Sequence, residues 1–294
     1  MKSKYTRLLR PVAWITFLFP FCVGLGLGID IDTDLIQVVF AFVSFVCWMS
    51  FCFIVNAIGD KEVDKFHDGR SKDMNLANQP IVTGEVNVKE ATLLGIFFLI
   101  ISLFFAWIID IIFFAIMIIV NIFGYVYSMP PTRFKARPFG DVLANALSGG
   151  LIFAAGLSLR NSNVNLLIII EAILMASIFY LPTVLTDLEF DRKVGLRTSA
   201  IFFGPKKILK IIYFFMILLM ILGSIIYISS NIELKILVIL MVIYSLIFII
   251  ATKVNLKGEK LNLHENWILI PFLILSIAFI IYGILKNIGW IVIN

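Results

Sequence analysis

Two groups of carboxylates stand at the ends of long apolar runs, and both use the same spacing. The first reads Asn56-Ala-Ile-Gly-Asp60-Lys-Glu-Val-Asp64 and the second Asp187-Leu-Glu-Phe-Asp191. On a helix, steps of four residues drift by only about 40°, so Asn56, Asp60 and Asp64 form one polar stripe and Asp187 and Asp191 another. Like charges at i and i+4 repel, and the end of an apolar helix adds a desolvation cost. A divalent cation removes both problems. Mg²⁺ commonly takes one or two carboxylates together with substrate phosphates and keeps several waters, so two such pairs suit a diphosphate clamped between metal ions. Between them lies Tyr127-Ser-Met-Pro-Pro-Thr-Arg133-Phe-Lys135-Ala-Arg137. Its arginine can grip phosphate oxygens bidentately and its lysine can act as a point charge, on a loop stiffened by two prolines. Arg137 alone reads as ordinary loop charge.

Long apolar elements must position these groups. Of the 294 residues 61% are hydrophobic and 15% charged, and the mean hydropathy is +1.03. Soluble domains average roughly 45–50% apolar and about 25% charged, so lipid replaces water around most side chains. Spanning helices need about 20 apolar residues. Nine stretches qualify, roughly 11–28, 35–58, 92–109, 111–128, 141–159, 164–186, 208–229, 233–252 and 267–286. None shows the alternation of a barrel strand. The boundary near Asp110 is the least distinct.

Charge orients the spans. With nine helices and the N-terminus inside, 21 of the 24 basic residues fall on the cytoplasmic side, leaving Arg160, Lys235 and Lys286 outside. This is the bias that the positive-inside rule demands. The net charge of +5 therefore reads as topology and not as a nucleic-acid surface. The basic start followed by an apolar run, with no small-residue cleavage site, reads as a retained first helix. Both carboxylate groups, Arg133 and Lys135 then share the cytoplasmic face. Cys22, Cys47 and Cys52 lack ligand spacing and read as small buried residues. His67 and His264 also lack it. Gly24, Gly26 and Gly28 follow no strand and read as a helix-packing surface, as do Gly149 and Gly150. A secondary transporter is the rival class. It is disfavoured because the acids cluster at one face and no charge is expected mid-bilayer.

In order along the chain, Arg10-Pro11, Asn56/Asp60/Asp64, Tyr127-Ser128-x-Pro-Pro-x-Arg133-x-Lys135 and Asp187/Asp191-Arg192 resemble the UbiA-type intramembrane prenyltransferases. The resemblance implies one membrane domain over 1–294, with nine helices around a central apolar cavity open near the cytoplasmic face. It implies catalytic Asp60, Asp64, Asp187 and Asp191, with Asn56 joining them around Mg²⁺. Tyr127, Arg133, Lys135 and Arg192 would bind the diphosphate. The implied reaction is transfer of a prenyl group from an allylic isoprenyl diphosphate to a lipophilic acceptor within membrane lipid. The stretches 128–145 and 187–200 look most like the lycopene-elongase branch, which implies a carotenoid acceptor; a quinone precursor, tetrapyrrole or glycerol lipid is the alternative. Asp141 and Asn145, again at i and i+4, would face the acceptor or the substrate cation, or else serve capping and packing. Two departures stand out. Ala57 replaces an acidic residue, and Gln79 precedes Pro80 where many members have arginine, a role that Arg70 could take over.

Overall fold

A computed structural model describes residues 3–66, 76–159, 166–229, 232–256 and 269–291. Arg70, Arg160, His67 and His264 lie outside the described residues. The described residues form helices joined by short turns, with no strand among them: α1 (Lys4–Leu9), α2 (Ile15–Gly28), α3 (Leu35–Asp64), α4 (Pro80–Thr83), α5 (Val88–Ile109), α6 (Ile111–Ser128), α7 (Gly140–Leu157), α8 (Leu166–Thr186), α9 (Leu188–Lys193), α10 (Ser199–Phe203), α11 (Pro205–Ser229), α12 (Ile232–Leu256) and α13 (Leu269–Asn287). Seven described helical stretches are long and apolar enough to cross a bilayer, Lys4–Gly28 (α1 through α2) counted as one, and two shorter apolar stretches, Leu234–Ile247 within α12 and Leu273–Asn287 within α13, fall where the eighth and ninth spans were expected.

The chain divides into two compact units. The first comprises Met1–Trp14, Asp34–Ala144 and Glu189–Thr198, and its centre is α3. Asp34 caps that helix by accepting from the Ile36 amide at 2.9 Å. At 30 residues it is about 45 Å long, against a hydrocarbon layer of about 30 Å. The run continues six residues past the expected boundary at 58, so Asp60 and Asp64 sit on helix and not on a loop. Packed against α3 are α5 and α6. Ser44 and Ser102 exchange hydroxyl-to-carbonyl bonds of 2.8 and 3.0 Å across the α3–α5 contact, the kind of polar fastening that apolar helices use in lipid. On the α6 side, Gly124 lies against Cys52. The indistinct boundary at Asp110 has a local cause. That residue ends α5 in extended backbone, and its carboxylate accepts from the Ile112 and Phe113 amides at 2.6 and 3.0 Å, so one residue both stops one helix and caps the next.

The second unit comprises Ile15–Thr33, Asn145–Leu188 and Ser199–Asn294. Here the glycines do what their pattern implies. A Cβ at Gly24 or Gly28 would strike backbone of α7 at Phe153 or Gly156, and one at Gly26 would strike Phe279 of α13. Gly149 and Gly150 face Ala176 and Ile173 of α8. At the other end of the α2–α13 pair, Lys286 donates to the Leu27 carbonyl at 3.2 Å and Asn287 to the carbonyls of Asp30 and Thr33 at 2.7 and 2.9 Å. One expectation is corrected. Glu171 lies within α8, fully buried, beside Gly223 and without a hydrogen-bond partner for either oxygen. The apolar spans therefore do contain an ionisable residue, set in the run Leu-Ile-Ile-Ile-Glu171-Ala-Ile-Leu.

Candidate active site

The site grows from the C-terminal end of α3. Asn56, Asp60 and Asp64 share one face, and Asp60 and Asp64 are both buried. Asn56 donates from Nδ2 to the Ser128 hydroxyl at 3.2 Å, which ties α3 to the last residue of α6. Gly59 makes that approach feasible, since a Cβ there would lie 2.6 Å from the Ser128 carbonyl oxygen.

Beyond Ser128 the chain folds back on itself. The Met129 amide donates to the Tyr125 carbonyl, and the Thr132 hydroxyl reaches the carbonyls of Val126 and Met129, both at 3.0 Å. The Pro130–Pro131 bond is cis. Arg133 takes the left-handed conformation at φ 38°, and residues 134–136 form a single 3₁₀ turn. This fold delivers two cations to one carboxylate: Arg133 Nη2 pairs with Asp60 Oδ1 at 3.0 Å, and Lys135 Nζ with Asp60 Oδ2. Burial pushes the Lys135 ammonium below the ordinary lysine value, with Asp60 pulling it back up. Arg133 Nε is buried with no partner, so one donor of its fork has no acceptor. Arg137 turns the other way and donates to the Pro131 carbonyl at 2.7 Å. It braces the loop.

The second acidic pair departs from its expected form. Asp187 is not on a continuous helix with Asp191; it occupies a turn between α8 and α9. Pro182 inside α8 lacks an amide proton and leaves the Ile178 carbonyl, four residues back, without its helical partner. Asp187 belongs to the second unit and Asp191 to the first. Asp191 is buried and accepts from the Thr198 hydroxyl at 3.1 Å. Arg192 is exposed, and Tyr127 is half-buried near the end of α6. Asp141 is fully buried in the first turn of α7, with its carboxylate on the Val142 amide at 2.9 Å. Asn145, one turn on, is half-buried.

Two residues gain meaning from the geometry. Arg10 carries charge that acts on Asp64, as do Asp60, Lys135 and Arg133, and its guanidinium lies 5.4 Å from the Phe53 ring centre. In the sequence it is one of four cations before the first span and, with Pro11, the first of the strings that carry the family resemblance. Gln79, the replacement for arginine, is buried at the start of α4 with its side-chain carbonyl unpartnered.

Among the described residues no three acidic, histidine or cysteine side chains gather closely enough to hold a metal ion. A two-carboxylate site on α3 fits Mg²⁺ only with phosphate and water as its other ligands, which is how that ion is usually held beside phosphates. Two cations on the loop after α6 thus meet one of two buried carboxylates at the end of α3, an arrangement that can hold an anion together with a metal.

A model of the UbiA prenyltransferase family matches residues 17–273. The chain belongs to the UbiA prenyltransferase family. It is accordingly a transferase and an integral, multi-pass membrane protein. A UbiA homologue from Archaeoglobus fulgidus, solved bound to DMAPP and Mg²⁺, is 45% identical, with a TM-score of 0.92 over 98% of this chain and 100% of that one. The digeranylgeranylglyceryl phosphate synthase of Methanocaldococcus jannaschii is 27% identical over 95% of this chain and 96% of its own length. The lycopene elongase/hydratase of Haloferax volcanii is 26% identical over 68% of this chain and 65% of its own.

Proposed function

We propose that this UbiA-family chain transfers a prenyl group from an allylic isoprenyl diphosphate to a lipophilic acceptor, with Mg²⁺ as cofactor. The observation that carries the reading is the pairing of Arg133 and Lys135 with Asp60, one turn from buried Asp64. Both cations are held at the carboxylate that an incoming metal would claim. Asp60 and Asp64 would hold Mg²⁺ together with the diphosphate, and Arg133 and Lys135, both paired with Asp60, would bind phosphate oxygens. The unpartnered Nε of Arg133 then gains an acceptor. Bound Mg²⁺ supplies charge that stabilises the departing diphosphate. Asp64 shares the work on α3, Asp187 and Asp191 form the second pair, and Asn56 holds α3 to α6. Tyr127 and Arg192 contribute to diphosphate binding, and Asp141 and Asn145 line the approach to the acceptor or the cation. Apolar walls protect the cation from water.

Nine spans with the N-terminus and the active site on the cytoplasmic side complete the reading, supported by the placement of 21 of 24 cations. The family match over 17–273 runs through both compact units and supports one prenyltransferase domain over 1–294. For the acceptor we place a carotenoid such as lycopene first, on the stretches 128–145 and 187–200 and on the lycopene elongase/hydratase relative. A glycerol lipid, which the digeranylgeranylglyceryl phosphate synthase relative favours, is the second reading. Membranes containing the protein, incubated with Mg²⁺, allylic diphosphates of graded length and an acceptor panel, should yield a prenylated product identifiable by mass spectrometry. Asp60→Ala and Asp187→Ala should release no diphosphate while still inserting; wild-type release from either would overturn the reading.

A further inference from the structure

The N-terminal helix α1 is six residues long, about 9 Å, too short to cross a bilayer by itself. It is nonetheless fastened at several points. Arg7 pairs with Glu85 and donates to the Asn78 carbonyl at 3.1 Å. Lys4 reaches Glu90 and the Glu85 carbonyl, both at 3.4 Å, and the Tyr5 hydroxyl donates to Glu90 at 2.7 Å. Thr83 adds a hydroxyl bond of 3.1 Å to Glu85. The Arg7 hydrogen bond holds the Glu85 carboxyl below the usual glutamate range. Leu8, fully buried, anchors the other face in a cluster with Ile54, Ala57, Ile81, Val86 and Ala91.

What these contacts hold in place is Arg10. It closes α1 in the left-handed conformation, φ 50° and ψ 54°, its amide donating to the Thr6 carbonyl at 3.1 Å. L-residues enter that region at a cost, and Pro11 restricts the residue before it further. Such a conformation persists where neighbouring structure imposes it. Here the guanidinium lies 5.4 Å from the Phe53 ring centre, one turn before Asn56 on α3.

We propose that the clasp of Arg7 with Glu85, and of Lys4 and Tyr5 with Glu90, positions Arg10 over Phe53, beside the Asn56 end of the carboxylate stripe on α3, and thereby sets the affinity of the site for diphosphate. Glu85 and Glu90 are positioning residues that act through Arg10, a role that presupposes the prenyl-transfer reading.

The test is binding of inorganic pyrophosphate with Mg²⁺ to the purified full-length protein, with thermal stability followed in parallel. Glu85→Gln should raise the Kd about threefold, and Glu85→Gln with Glu90→Gln about tenfold, as weak exposed pairs allow. The exchange Arg7→Glu with Glu85→Arg should restore it. In an Arg10→Ala background the glutamate variants should have no further effect, since residues acting through one group are not additive. An unchanged Kd, or an equal loss in the Arg10→Ala background, would overturn the clasp, the latter marking a purely structural role. Asp60→Ala separates the two levels. If it abolishes pyrophosphate binding while Arg10→Ala does not weaken it, the clasp alone fails; if Asp60→Ala also leaves binding intact, the diphosphate reading fails first.

Discussion

Arg133 carries two burdens, a left-handed backbone at φ 38° and one of the two cations on Asp60. Glycine would adopt that backbone freely, whereas a non-glycine residue gives up about 1–2 kcal/mol there. Arg133→Gly therefore separates the roles. The relaxed backbone offsets the lost ion pair, so the melting temperature should stay within a few degrees while the apparent affinity for an allylic diphosphate falls about tenfold or more. A melting temperature that collapses, with donor affinity retained, would make Arg133 a fold residue. Asp60 behaves differently, because removing its carboxylate leaves Lys135 buried without its counter-ion, a change of about 3–5 kcal/mol for buried pairs. The inactivity expected of Asp60→Ala must therefore be read beside its stability.

Among the elements, α2 and α13 meet with almost no space between their backbones. A Cβ at Gly26 would meet the Phe279 carbonyl, and one at Gly283 would lie 2.9 Å from the Gly26 carbonyl. Backbone cannot step aside as a flexible side chain can, and overpacking typically costs about 1–3 kcal/mol. Gly26→Val should lower the melting temperature in detergent clearly. Gly84→Ala is the control. Gly84 has φ 81° and nothing within 4 Å of its notional Cβ, so only backbone strain of about 1 kcal/mol applies. Equal losses at the two positions would mean that close α2–α13 packing is not what Gly26 provides. The same reasoning explains the length of α3. Nothing in Asn56–Asp64 breaks a helix, so the helix carries its polar stripe beyond the apolar run and offers it to the loop after α6.

For the whole molecule, orientation is the quantity to measure. Cys22 and Cys47 are buried and Cys52 half-buried, so a cysteine-free background is attainable with small replacements. Ile31 and Arg137 are exposed and belong on opposite sides in the nine-span reading. A membrane-impermeant maleimide should label Ile31→Cys on intact cells and Arg137→Cys only after permeabilisation. The reverse pattern would invert the topology and move the carboxylates to the outer face.

Much of this protein is legible from residue order alone, because lipid imposes simple demands. Every spanning segment must be long, apolar and internally hydrogen-bonded, and spacing of four places Asn56, Asp60 and Asp64 on one helix face in any fold. Family membership follows from the same local strings. Other features depend on distant groups and have no local signature. Asp110 divides two helices through its cap, and the turn at Asp187 interrupts what spacing alone presents as a helix. The unpartnered Glu171 stands inside an apolar run whose neighbours give no sign of what surrounds it. Arg10-Pro11 is legible as a local string, but the fastening of α1 to Glu85 and Glu90, some eighty residues away, is not. Composition and spacing determined which groups could meet a diphosphate at a membrane surface. The folded chain decided which charges share a carboxylate, since that depends on loop geometry and long-range contacts that no local pattern encodes.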